Sequence, residues 1–142
     1  MVRKGVTKIW SKKPKGCPHV MVKAFSSVNY SVDTVLKTMN DVEVRTKWED
    51  LFDEYKLLST YKDYDLLYYK LKTPFGITSR DFLSRRTIIH NWPEEGATII
   101  YMKSIEHELM PKRRKIIRAE NLITGYILRR TGPDSCNMTI IS

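Results

Sequence analysis

The sequence predicts an α+β fold, an antiparallel sheet with two short helices early in the chain, and three observations predict it. Extended runs occupy both the start of the chain and nearly everything after the first third. Helical periodicity is confined to one stretch between them. The joins are short and rich in Gly, Pro, Asn and Asp, which suits antiparallel neighbours and not the long crossovers of a parallel sheet. With 142 residues, 42% hydrophobic and 29% charged, the chain has the size and balance of one folded domain, 1–142, and not of a disordered or low-complexity segment.

In order, Val6 to Trp10 reads as a short strand, and Lys12 to Gly16 (KKPKG) as a turn into a second strand, His19 to Val28. Ser31 then caps a helix whose apolar Val32, Val35, Leu36 and Met39 fall at i, i+3, i+4 and i+7. Val44, Trp48, Leu51, Phe52 and Tyr55 continue at helical spacing and predict a second helix. Tyr64 to Lys72 alternates as a strand, and TPFGITS supplies Pro and Gly for a hairpin into Ser79–His90. Further strands are expected at Ala97–Ile105, Ile116–Ile123, Gly125–Arg130 and Asn137–Ile141, broken by NWPEEG, HELMPKRRK and TGPDS.

The formal charge is +9, and it is uneven: Met1 to Val32 holds seven Lys or Arg and no acid, and KRRK at Lys112–Lys115 is a second cluster. Neither cluster is interleaved with aromatics or glycines as a single-strand binding groove would be, so no specific nucleic-acid partner is expected. No apolar run could span a bilayer and no secretory signal opens the chain, so a cytoplasmic location is expected. Cys17 and Cys136 form no CxxC motif and are expected as free thiols. Nucleotide, zinc-protease and hydrolase signatures are missing, and His19, His90 and His107 are scattered. An enzyme is therefore not expected, nor a metal or cofactor. Binding is the better expectation.

One run, SRDFLSRRTIIH, carries a puzzle. Strand alternation puts Arg80, Phe82, Ser84, Arg86 and Ile88 on one face and Asp81, Leu83, Arg85, Thr87 and Ile89 on the other. Two arginines thus share a face with Phe82 and Ile88. Burying a guanidinium costs several kcal/mol unless it is paired, and a phosphate is one good partner; protein carboxylates or backbone carbonyls are the other.

The residues DLLYYKLKTPFGITSRDFLSRR resemble the centre of a START domain, the lipid-transfer domain named for the steroidogenic acute regulatory protein. VRTKWED is similar to the family's R-x-x-W-D, with Glu49 where Asp is usual, and LMPKRRKIIRAENLITGYIL to its MP-x-x-x-G-V-I-R segment, with Lys115 in place of Gly. The flavour of the central hairpin is that of the phosphatidylcholine-transfer type. The resemblance implies a helix-grip fold, a curved antiparallel sheet around a lipid cavity, here lacking most of the C-terminal covering helix because the chain stops at Ser142. It implies non-enzymatic binding and transfer of a phospholipid. It places Arg80 and Arg86 at the lipid phosphate, with Tyr69, Phe82, Tyr101 and Tyr126, and also Trp92, as aromatics able to line the cavity or meet a choline. Asp81 and Trp48 belong to matched motifs with structural work, Asp81 bonding to backbone or to a basic side chain. Leu109, Met110, Lys112, Arg113, Arg114 and Lys115 correspond to a loop at the tunnel mouth, expected to touch an anionic membrane. The alternative reading is a regulatory or protein-interaction module that keeps part of this fold, with self-association through an uncovered sheet face.

Overall fold

The computed structural model describes residues 7–142. The first strand, expected from Val6, starts at Thr7, and Val6 itself lies outside the described residues. This β1 (Thr7–Lys12) pairs antiparallel with β2 (Met21–Val28), Trp10 opposite Lys23 and Lys12 opposite Met21. Between them Gly16 takes the left-handed φ of 77° that the turn requires. Ser31 caps α1 (Val32–Asn40) as its sequence predicts, Oγ accepting the Thr34 N–H at 3.2 Å, and the helix buries Val32 and Val35.

The second helix is shorter than its periodicity suggests. Asp41 caps α2 (Val42–Trp48) by accepting the Val44 N–H at 3.1 Å, and Glu49 ends it in an extended conformation, its own N–H closing onto Arg45 O. Leu51 falls in a turn, and Phe52 and Tyr55 belong to β3 (Phe52–Thr60), a strand absent from the sequence expectation. The reason is local. Against β4 (Asp65–Leu71), the register of β3 shifts between Phe52 and Glu54 and again between Leu57 and Ser59. Each bulge inserts one extra residue, so Phe52 and Tyr55, three apart, share a face. A helix would give the same spacing.

Strand β5 (Arg80–His90) pairs with β4 so that Asp65 faces Arg86 and Tyr69 faces Phe82. After a turn with Gly96 at φ 77° comes β6 (Ala97–Ser104). The strand expected over Ile116–Ile123 contracts to β7 (Ile117–Arg118), which runs parallel to the start of β5. Its bonds reach Ser79 O from Ile117 N–H (2.9 Å) and Asp81 O from Ala119 N–H (2.8 Å), after which Asn121 turns to Ser104, accepting its N–H at 3.1 Å. Then β8 (Thr124–Gly132) and β9 (Ser135–Ile141) form a hairpin, and β9 also pairs with β2. The hydrogen-bonded order is β1-β2-β9-β8-β6-β5-β4-β3, with β7 on β5. This is the antiparallel sheet of the helix-grip fold, and β9 is the last described element. Among the described residues no helix is long and apolar enough to cross a membrane.

Contacts divide the chain into two compact units, one formed by residues up to Val35 with Ile88–Tyr101 and Ile123–Ser142, the other by Leu36–Thr87 with Met102–Leu122. In the first, Ala97, Ile100, Tyr126, Leu128 and Cys136 are buried. In the second, Leu66, Tyr68 and Leu83 form a core against which Leu58, Ile105 and Met110 pack.

At Gly125 β8 lies close against β6. A Cβ there would press on the Ile100 carbonyl and come within 2.9 Å of Tyr101 Cα, both backbone atoms that cannot swing aside. Gly125→Ala is expected to cost about 1–3 kcal/mol, seen as a lower urea midpoint at unchanged slope. An unaltered midpoint would contradict this close approach.

Candidate functional site

In the second unit the register of β3, β4 and β5 sorts side chains into two faces. On one, Tyr55, Tyr69 and Phe82 lie side by side across three strands. Their rings stack, Tyr69 at 4.9 Å from Phe82 and 5.9 Å from Tyr55, and Phe52 closes the group at 4.8 Å from Tyr55. Arg45 of α2 sits over Phe52 and Trp48. Burial pushes the Tyr55 and Tyr69 phenols above their ordinary range. They therefore act as hydrogen-bonding groups and not as charges. The Tyr69 Oη accepts from Asn121 Nδ2, which also lies 3.4 Å from Ser84 Oγ.

Two residues along the same face of β5, Arg86 is only 6% exposed. Its Nη2 meets Asp65 Oδ2 at 2.7 Å, the cross-strand neighbour that the β4–β5 register puts opposite it. Its Nη1 donates to Asn40 O at 2.7 Å, the terminal carbonyl of α1, where the helix dipole favours a cation. The Nε donor is buried and, among the described residues, has no partner. Two strong partners offset most of the desolvation of this guanidinium, and one donor remains unused.

The opposite face is a network. Asp81, 1% exposed, accepts two bonds from Arg118 (2.7 and 3.2 Å) and one from Tyr68 Oη (3.1 Å). Arg113 donates to the same Tyr68 hydroxyl and to Glu54 at 2.9 Å, and Lys56 donates to Glu54 at 2.9 Å. Hydrogen bonds from Lys56 and then Arg113 hold the Glu54 carboxyl down at about 2. Burial, followed by the charge of Asp81, pushes the Tyr68 phenol up to about 12. Together these bonds fasten the segment between β6 and β7 to the sheet. Within it Lys115 has φ 67°, the left-handed conformation a glycine adopts freely and a lysine only with about 1 kcal/mol of strain.

The expected site residues fall in different places. Arg86, Tyr69 and Phe82 come together on one face of the second unit. Arg80 begins β5, is exposed, and donates to Thr78 O at 3.2 Å. Tyr126 is buried and Tyr101 half-buried in the first unit, where both line an apolar cleft of about 140 Å³ with Ile99, Ile123, Ile127 and Ile141. Trp92 is exposed in its turn. In the basic loop, Leu109, Lys112, Arg114 and Lys115 are exposed, Lys112 facing Glu106 at 3.3 Å, whereas Met110 packs on the core and Arg113 joins the network. His107 bonds Tyr61 Oη through Nε2 at 3.0 Å. Among the described residues no three His, Cys, Asp or Glu gather as a metal site.

Sequence reasoning put Ser84 on the right face without giving it a role, and missed Asp65, Asn40, Asn121, Glu54 and Arg118. Only Asp65 had an available signal: counting the hairpin register outward from TPFGITS puts it opposite Arg86.

A START domain family model matches residues 2–142. START domain-containing protein 10 of mouse and of human are each 30% identical over 112 residues, 78% of this chain and 37% of theirs. The chain thus spans little more than a third of the length of these curated relatives. The crystal structure of human STARD10 superposes with a TM-score of 0.85 at 23% identity, covering 99% of this chain and 58% of that one. The human StarD13 lipid transfer and protein localization domain superposes at 0.81 with 24% identity, covering 99% and 71%.

Proposed function

The chain belongs to the START domain family, a family of lipid-binding and lipid-transfer domains, and from that premise we propose that it binds a phospholipid such as phosphatidylcholine and carries it without chemical turnover. The observation that carries this reading is the face of β5 on which the buried Arg86, with an unused Nε donor, shares a wall with the stacked Tyr69 and Phe82. A cation beside apolar rings suits a phosphodiester joined to acyl chains, since neither part alone would favour both. Arg80, of the same parity and held by a single carbonyl, adds a second phosphate contact. Tyr101 and Tyr126 offer apolar lining in their own unit. The loop from Leu109 and Met110 through Lys112, Arg113, Arg114 and Lys115 meets an anionic membrane, its exposed members touching lipid headgroups while Met110 and Arg113 anchor it. On this reading the protein works in the cytoplasm with peripheral membrane contact.

Native mass spectrometry tests the reading. The protein should carry a phospholipid adduct, and Arg80→Leu should weaken it about 10-fold by removing one charge-assisted contact, with the melting temperature unchanged because Arg80 is exposed. An unaltered adduct would remove Arg80 from the site. Absence of any phospholipid from the wild-type protein would overturn the proposal.

A further inference from the structure

We propose that the β1–β2 hairpin is itself a docking surface for an anionic lipid bilayer, distinct from the basic loop between β6 and β7. Along β1 Trp10 lies between Lys8 and Lys12, and along β2 Lys23 lies between Met21 and Phe25. The strand register sets these two rows side by side: Trp10 faces Lys23, Lys8 faces Phe25 and Lys12 faces Met21, so one face of the hairpin alternates three lysines with Trp10, Phe25 and Met21. Of the apolar members Trp10 is open to solvent by 49% and Met21 by 39% while Phe25 is half-buried, and Val20 beside the turn is open by 55%. Two more lysines, Lys13 and Lys15, lie in the turn, and no Asp or Glu occurs in β1, the turn, β2 or the adjoining β9. Among the described residues, none of these five lysines has a carboxylate partner.

Charge complementarity commits the surface to an anionic partner, and the mixture with Trp and Met selects a bilayer. Lysine stems lie along apolar surface while their ammonium groups reach phosphates, and tryptophan settles at headgroup level. Stacking of nucleic-acid bases on Trp10 is opposed because the Lys23 ammonium already sits over that ring at 5.6 Å. Addition of another strand to β1, an end of the sheet path, is opposed by Lys8 and Lys12 on that edge.

This inference does not rest on lipid carriage, and the experiment separates them. Co-sedimentation of the protein is measured with phosphatidylcholine vesicles and with vesicles containing phosphatidylserine, for wild type, for the Lys8→Gln/Lys12→Gln/Lys23→Gln variant and for Lys112→Gln/Arg114→Gln/Lys115→Gln. Wild type should bind only the phosphatidylserine vesicles. The hairpin variant should lose about 100-fold in affinity, from roughly fivefold for each charge near the surface, while keeping any phospholipid adduct seen by native mass spectrometry. A blue shift of emission on vesicle binding, lost in Trp10→Phe, would place Trp10 in the interface. The proposal is overturned if the hairpin variant sediments like wild type, if only the loop variant loses binding, or if Trp10→Phe keeps the full shift. It is likewise overturned if the hairpin substitutions abolish binding to a single-stranded DNA probe or a concentration-dependent dimer, with vesicle binding intact.

Discussion

Replacing Asp81 with alanine is expected to lower the unfolding free energy by about 3–5 kcal/mol, the scale for breaking one side of a buried charge pair. The carboxylate accepts from Arg118 twice and from Tyr68 once, and it is 1% exposed. Its loss leaves the Arg118 guanidinium, only 11% exposed, with the carbonyls of Met110 and Pro111 as partners. Denaturant unfolding checks the size of the effect. A Tyr68→Phe change should cost less, about 1.5–3 kcal/mol, because it removes charge-assisted hydrogen bonds to Asp81 and Arg113 but leaves the ion pair with Arg118 in place. Pairing Asp81→Leu with Arg118→Met should recover most of the stability, since apolar replacements of a buried ion pair are often neutral. A double variant as unstable as the single one would show that Asp81 acts through something other than charge compensation.

The second large effect concerns Asp65. Asparagine keeps its size and one acceptor oxygen but removes the charge facing Arg86, so Asp65→Asn should lose about 2–3 kcal/mol. Stability and ligand binding should then part company. A guanidinium released from its carboxylate has a stronger claim on a phosphate, so the phospholipid adduct should increase several-fold while the protein melts earlier. An adduct that falls together with stability would make Asp65 and Arg86 a purely structural pair.

Much of this arrangement was legible in the sequence where one period holds over a whole element. The alternation from Arg80 to His90 placed Arg86 with Phe82 and Asp81 opposite them, and Asp81 does bond a basic side chain, Arg118. Ser31 and the i, i+3, i+4, i+7 pattern gave α1. Failure came where a bulge broke the period. At Phe52–Tyr55 and Leu57–Ser59 an extra residue turned strand spacing into helix spacing, hiding β3 and with it Glu54 and its partners. The run after Lys115 reads as one long strand, but two residues pair, and they do so in parallel. No local signal announces a parallel contact with a strand some thirty-five residues earlier. The burial of Arg86 was readable as a problem, though its solution by Asn40 depends on where a helix ends.

The fastening of the loop between β6 and β7 has a kinetic consequence. The amides of Ile117 and Ala119 are bonded to the start of β5, beside the buried Asp81, so their hydrogens should exchange with solvent only when the second unit opens as a whole. The Leu109 amide is held by a single bond to His107 Nδ1, 3.2 Å long, on an exposed segment. It should exchange orders of magnitude faster. One stretch of a dozen residues thus has two lifetimes: a tip that is released often, and a root that stays in place while it moves.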